Sequence, residues 1–241
     1  MMKGKGFTLI EMILAIVISS IVLLGVANFT ELGMRGYFGS VERFRLQTEA
    51  RFVLEKLSRE VRHAVPNLFP ASVSSGCVSF YPIVDSGFYA TSGADINFLV
   101  SDSGATSSSL QSMSLVINPT RPHTDINNLN NVYPLDSVVP PSVSAAYFSI
   151  PNGANTLVSE SVGKRHYIFD SNNLVEYCLA NSNLLTRNGV TISDRVMSEN
   201  STLSYQPADV QSNGVVELIL EFAENNESTV FEQDIQVINV P

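Results

Sequence analysis

An apolar run from Met12 to Ala27, opened by Glu11 within Gly6-Phe7-Thr8-Leu9-Ile10-Glu11, constrains this chain more than any other feature. With its flanking residues the run approaches the ~20 residues that carry a helix across a bilayer. A lone acid inside hydrocarbon costs about 2.5 to 3.5 kcal/mol even on insertion scales, so a carboxylate at the mouth of such a span is expected to have a partner and a role. A six-residue leader containing Lys3 and Lys5 precedes it. Whatever else the chain forms, it must accommodate a helix whose natural solvent is lipid.

Three fates of this terminus differ physically. Cleavage between Gly6 and Phe7 would leave the whole apolar helix on the mature protein and place a new amine about one helical turn from Glu11. Such an amine is largely protonated at neutral pH and keeps its charge on N-methylation, so it could pair with a carboxylate of a neighbouring subunit. Gly6 suits the scissile position because a residue without a side chain can enter a narrow site in extended form. Cleavage after Gly25-Val26-Ala27 would instead release a soluble protein beginning at Asn28, as from an ordinary signal peptide. An uncleaved anchor is the third fate, and it leaves Gly6-Phe7 and Glu11 without a role.

Lys5-Gly-Phe-Thr-Leu-Ile-Glu11 with an apolar helix behind it resembles the processing signal of type IV pilins and of type II secretion pseudopilins. A narrower resemblance, to minor pilins of the MSHA pilus and to J-type minor pseudopilins, rests on Gln47 to Pro66, on Gly76-Cys77-Val78-Ser79-Phe80, and on Tyr177-Cys178 with Leu184-Leu185-Thr186-Arg187. The resemblance implies a substrate of the prepilin peptidase that is not itself an enzyme, with Gly6 and Phe7 as processing residues and Glu11 as an assembly residue. It implies residence in the inner membrane with the C-terminal part periplasmic, then a tip-proximal place in a filament. The implied partners are the peptidase, other minor and major pilins, and the inner-membrane assembly platform. Two further functions stay open: a J-type pseudopilin of a secretion machine, and a tip adhesin binding a surface ligand through its loops.

The expected fold class is α+β, pilin-like: a long N-terminal helix packed on an antiparallel, β-rich globular domain. Its parts are a leader at 1–6, a transmembrane or filament-core half of the helix at 7–35, and a globular domain at 36–241. No proline occurs from Phe7 to Val65, so one helix of up to 59 residues is expected. That is about 88 Å at 1.5 Å per residue. In its second half Leu46, Ala50, Val53, Leu54, Leu57, Val61 and Ala64 follow helical spacing and should pack on a sheet. Pro66 should end the helix. Gly25, Gly33, Gly36 and Gly39 each weaken it by ~1 kcal/mol relative to Ala, and local bending or melting is expected there.

Beyond Pro66, strands are expected at Cys77 to Val84, Ile96 to Val100, Met113 to Ile117, Ala146 to Ile150, Arg165 to Asp170, Leu174 to Leu179, Leu184 to Arg187, Val215 to Ala223 and Thr229 to Val240. The last two read as a hairpin across Glu224-Asn-Asn-Glu227. Ser101 to Ser109 and Thr120 to Pro141 read as exposed loops.

Charge is unevenly spread. Residues 1–66 carry nine Lys/Arg against six Asp/Glu, and residues 67–241 carry five against seventeen, a net −12 (5 − 17). That excludes nucleic acid as a natural partner. The acids of the tail, Glu217, Glu221, Glu224, Glu227, Glu232 and Asp234, read as a solvated strand face. The two cysteines, Cys77 and Cys178, would lie in an oxidising compartment, where an even count reads as a disulfide. No metal or cofactor is expected. The sequence has no Gly-x-Ser-x-Gly, no phosphate-binding glycine loop, no His-Glu-x-x-His and no Cys-x-x-Cys, and His63, His123 and His166 are far apart.

Overall fold

The computed structural model describes residues 6–70, 76–119, 130–142, 146–180, 183–197, 199–209, 212–224 and 227–237. Lys3, Lys5, His123, Asn225 and Asn226 of the expected hairpin turn, the first part of the expected Thr120 to Pro141 loop and the last residues of the expected Thr229 to Val240 strand lie outside them.

Helix α1 runs unbroken from Leu9 to Arg62, 54 residues, or about 81 Å. All four glycines at 25, 33, 36 and 39 remain helical, because each propensity cost is small against a continuous hydrogen-bond ladder. The helix stops four residues short of Pro66, at a His63 cap whose N–H donates to the Arg59 and Glu60 carbonyls. What ends it is pairing rather than proline. Ala64 bridges Pro82, Val65 N–H donates to Tyr81 O, and Ile83 N–H donates to His63 O, so the chain is claimed by a β-type partner before Pro66 is reached.

Among the described residues thirteen strands follow, all antiparallel where paired: β1 Cys77–Phe80, β2 Asp85–Ser92, β3 Asp95–Phe98, β4 Met113–Ile117, β5 Val132–Pro134, β6 Phe148–Ile150, β7 Arg165–Asp170, β8 Val175–Ala180, β9 Leu184–Arg187, β10 Val190–Ser193, β11 Thr202–Gln206, β12 Val215–Glu224 and β13 Glu227–Gln236. They form sheets ordered β1-β8-β9-β10, β11-β12-β13 and β5-β4-β7-β2-β3-β6. The architecture is α+β as expected from the sequence.

The three sheets do not share one core. Leu57 and Val61 of α1 join Phe80, Tyr177, Val216, Leu218 and Ile235 in one cluster. Leu46, Ala50 and Val53 join Leu185, Val196, Leu220 and Phe222 in a second. The helix therefore docks on the two smaller sheets. The six-stranded sheet builds a separate core around Ile96, Phe98, Leu115, Phe148 and Ile168, to which no α1 residue contributes. All six of its strands fall between β1 and β8 in sequence. The chain leaves along β1, forms a distal sheet, and returns along β8.

Cys77 and Cys178 sit at the neck of this excursion. They are register partners in the β1–β8 ladder, with Cα atoms 4.1 Å apart, and are joined as a disulfide spanning a sequence separation of 101.

The tail acids are only partly a solvated face. Glu227 takes a forked contact from Arg43 of the helix at 3.1 to 3.3 Å. Glu224 pairs with Arg195 at 2.9 Å and with Arg45 at 3.8 Å. Arg195 also binds Glu49, so a half-buried Glu49-Arg195-Glu224 chain ties helix to sheet. Lower down, burial pushes Glu60 up, but hydrogen bonds from Arg187 and Lys56 outweigh it and hold the carboxyl below its ordinary range.

Two expected loops contain structure. Ser101 to Ser109 enters a single helical turn, α2 Ser107–Leu110, capped by Thr106. Thr120 to Pro141 holds β5 and an isolated Val139 bridge to Ser149 within its described part.

Candidate assembly and processing site

Gly6, Phe7 and Thr8 are exposed and lie outside the helix. Thr8 is its N-cap, with extended backbone at φ −83° and ψ 151°. The Thr8 hydroxyl accepts the Glu11 N–H at 3.4 Å, and Glu11 Oε2 accepts the Thr8 N–H at 3.3 Å and its hydroxyl at 3.4 Å. This is a reciprocal capping box, each bond at the long end of the useful range. Two consequences follow. The Gly6–Phe7 bond stands ahead of the first helical residue, in non-helical chain. Glu11 is held one turn into the helix, where its charge offsets the positive end of the macrodipole.

Thr8 is a site residue that the motif's glycine and glutamate overshadow. Its signal was present, since Thr-x-x-Glu before an apolar run marks a capping box. The box uses Oε2 alone, and a carboxylate has acceptor capacity for several donors, so room remains for a cation on Glu11.

Behind the cap, every apolar side chain from Leu9 to Val26 is exposed and unpartnered by the rest of the chain. The helix is long and apolar enough to cross a membrane, by length and composition. Its exposed apolar surface then continues past Gly39. Tyr37, Val41, Phe44, Thr48, Phe52, Glu55 and Arg59 succeed one another at steps of three or four, along the side opposite Leu46, Ala50, Val53, Leu57 and Val61. Phe44 is 71% and Phe52 59% exposed. The second half of α1 thus carries two apolar stripes: one buried against sheet, the other open. An amphipathic reading of Gln47 to Pro66 finds the first. The second was legible in the spacing of Tyr37, Val41, Phe44 and Phe52 but lies where polar residues interrupt it.

Cys77 and Cys178 belong to the neck and are remote in the fold from the cap. Glu176 lies beside them in a grouping with metal-ligand atoms, but both sulfurs are committed to each other. Of the histidines, His63 caps the helix end, its Nδ1 2.9 Å from Arg59 O, and His166 is fully buried in the distal sheet.

The family described as the prokaryotic N-terminal methylation motif matches residues 1–27, spanning the leader, the Thr8–Glu11 box and the apolar run. The match supports a type IV pilin-like protein, a pilin or pseudopilin, processed by the prepilin peptidase and anchored by its apolar helix. No curated protein and no solved structure matches the chain.

Proposed function

We propose that this chain is a minor pilin of the MSHA type, acting in initiation or tip assembly of a type IV filament and so in adhesion. The observation that carries the reading is the continuity of the methylation motif, the Thr8–Glu11 cap and a bare apolar helix in one stretch. Residues 1–6 are the leader removed by the prepilin peptidase. Residues 7–35 are the membrane and filament-core half of the helix, and residues 36–241 are the globular domain. The mature subunit waits in the inner membrane with this domain in the periplasm, then joins other pilins through the assembly platform and takes a tip-proximal position.

Glu11 supplies the assembly chemistry. Its carboxylate accepts the methylated Phe7 amine of a neighbouring helix and so fixes axial register, removing two unpaired charges from hydrocarbon together. The open stripe from Tyr37 to Phe52 extends the packing surface above the membrane, which lets neighbouring helices stay in contact past the bilayer.

Mass spectrometry of the mature N-terminus tests the processing step. N-methylated Phe7 is expected; a protein beginning at Asn28 or an intact leader would overturn the reading. Glu11→Ala should be cleaved normally yet enter filaments poorly, by immunoblot of sheared pili. Normal incorporation would remove the amine pairing. The distal sheet, which α1 does not share, favours a second reading as a tip adhesin. Removal of residues 120–129, which leaves β5 in place, should then abolish attachment while leaving piliation intact.

A further inference from the structure

Beyond residue 66 the chain has five basic residues against seventeen acidic ones. Of the basic residues described, Lys164 pairs with Glu160, Arg187 with Glu60, and Arg195 with Glu49 and Glu224. Among the described basic residues beyond residue 66, Arg165 is the one left without an ion pair. Its guanidinium carbon lies 6.0 Å from the centre of the Phe88 ring. The two are register partners across β2 and β7, as are Ser86 and Tyr167, so all four side chains share one face of the distal sheet.

On this face opens a cleft of about 450 Å³, walled by Phe88, Leu99, Val100 and Tyr167, with Ser86 and Arg165 on it. That is within the size range of small-ligand sites. Phe88 is 57% and Leu99 51% exposed, an uncovered apolar pair in an otherwise acidic domain.

The cleft is fixed rather than incidental. A Cβ at Gly87 would stand 2.0 Å from Leu99 O, so only glycine lets the Leu99 to Ser101 segment pass this close. Asp85 then anchors that segment. Its carboxylate accepts the Ser101 N–H at 2.9 Å and hydroxyl at 2.5 Å, and the Asp102 N–H at 3.3 Å. Those bonds are spent on the wall and leave Arg165 free to face a ligand.

We propose that this cleft binds a small monocarboxylate with an aromatic or branched apolar body. The body fills the space between Phe88, Leu99 and Tyr167, and the carboxylate takes the forked donors of Arg165, whose planar geometry matches it. The single guanidinium of Arg165 matches a single negative charge. Polyanions such as phosphate esters are disfavoured by the net −12 (5 − 17) of residues 67–241. The site lies on the distal sheet, apart from the helix that carries assembly, so it stands independently of the filament role.

The test is ligand-observed fluorine NMR on the full chain in lipid nanodiscs, with empty nanodiscs as the blank and 4-fluorophenylacetate and 4-fluorophenylacetamide as probes. The acid should broaden saturably in the millimolar range and bind roughly tenfold more weakly to Arg165→Gln. The amide should bind weakly and equally to both proteins. Phe88→Ser should weaken acid and amide alike. Both side chains are exposed, so unchanged circular dichroism is expected for each variant. Arg165→Lys, which keeps the charge but loses the fork, should fall between wild type and Gln. No saturable broadening above the blank, equal affinity for acid and amide, or undiminished binding to Arg165→Gln would each overturn the proposal.

Discussion

His166 is fully buried in the distal sheet, its ring edge-on to Phe98 at 5.3 Å and neither nitrogen hydrogen-bonded among the described residues. Burial lowers its pKa to about 4, with the Asp85 carboxylate pulling partly the other way. The unfolded imidazole titrates near ~6.5, so between those values the unfolded chain binds the extra proton. Stability from this residue is complete above pH 6.5 and is lost as pH falls towards 4, by about 3 kcal/mol in all. Urea melts of the detergent-solubilised chain should show a steeper loss between pH 7 and 5 in wild type than in His166→Gln; equal slopes would contradict the assignment. Gly87 is the other residue whose role is set by tertiary contact. Gly87→Ala drives a methyl into Leu99 O and should cost at least ~2 kcal/mol in the same melts. Neither residue announces this in sequence. A histidine in a strand and a glycine after Asp-Ser are ordinary until the chain from Leu99 to Ser101 is laid across them. The Thr8–Glu11 cap is the opposite case, since all its atoms lie within four consecutive residues.

At the scale of elements, α1 was legible because its determinants are local: an apolar run, helix formers after Val41, and no proline before Pro66. Most strands with clear alternation were legible too, and Val216, Leu218, Leu220 and Phe222 are all fully buried as their spacing implied. Strand β2 was not. Asp85-Ser-Gly-Phe-Tyr-Ala-Thr-Ser92 has one buried residue, Tyr89, and no alternation. It is a strand because its first half pairs with β7 and its second with β3, a shared edge that no local pattern encodes. The two stripes of α1 make separable predictions. Leu57, 1% exposed among Phe80, Tyr177 and Val216, should lose about 2 to 5 kcal/mol of domain stability as Leu57→Ala. Phe52→Ser on the open stripe should leave the melt within ~0.5 kcal/mol but reduce incorporation into filaments. A Phe52→Ser protein that melts early would place that stripe in the core instead.

For the whole molecule, the decisive link is Cys77–Cys178. Closing a loop of about 100 residues removes up to ~4.7 kcal/mol of unfolded-state freedom in the chain-entropy model. Paired Cys77→Ser and Cys178→Ser changes should therefore lower stability by about 2 to 5 kcal/mol, read as a lower midpoint under non-reducing conditions. Because the bond closes the neck, limited proteolysis of the double variant should cut between Phe80 and Val175 before it reaches the helix-bound sheets. The sequence by itself determined what depends on near neighbours and on solvent: the capped apolar helix, its buried stripe and most strands. Only the tertiary structure decided that the β region divides into sheets docked on the helix and a distal sheet held by a disulfide neck. The same is true of the tail acids that meet helix arginines and of Arg165, left unpaired beside an apolar cleft. The physical reason is range. Helix propensity, capping and hydropathy act over a few residues, whereas these arrangements join groups from 66 positions apart (Leu99 and Arg165) to 184 (Arg43 and Glu227), and a linear pattern carries no record of which of them meet.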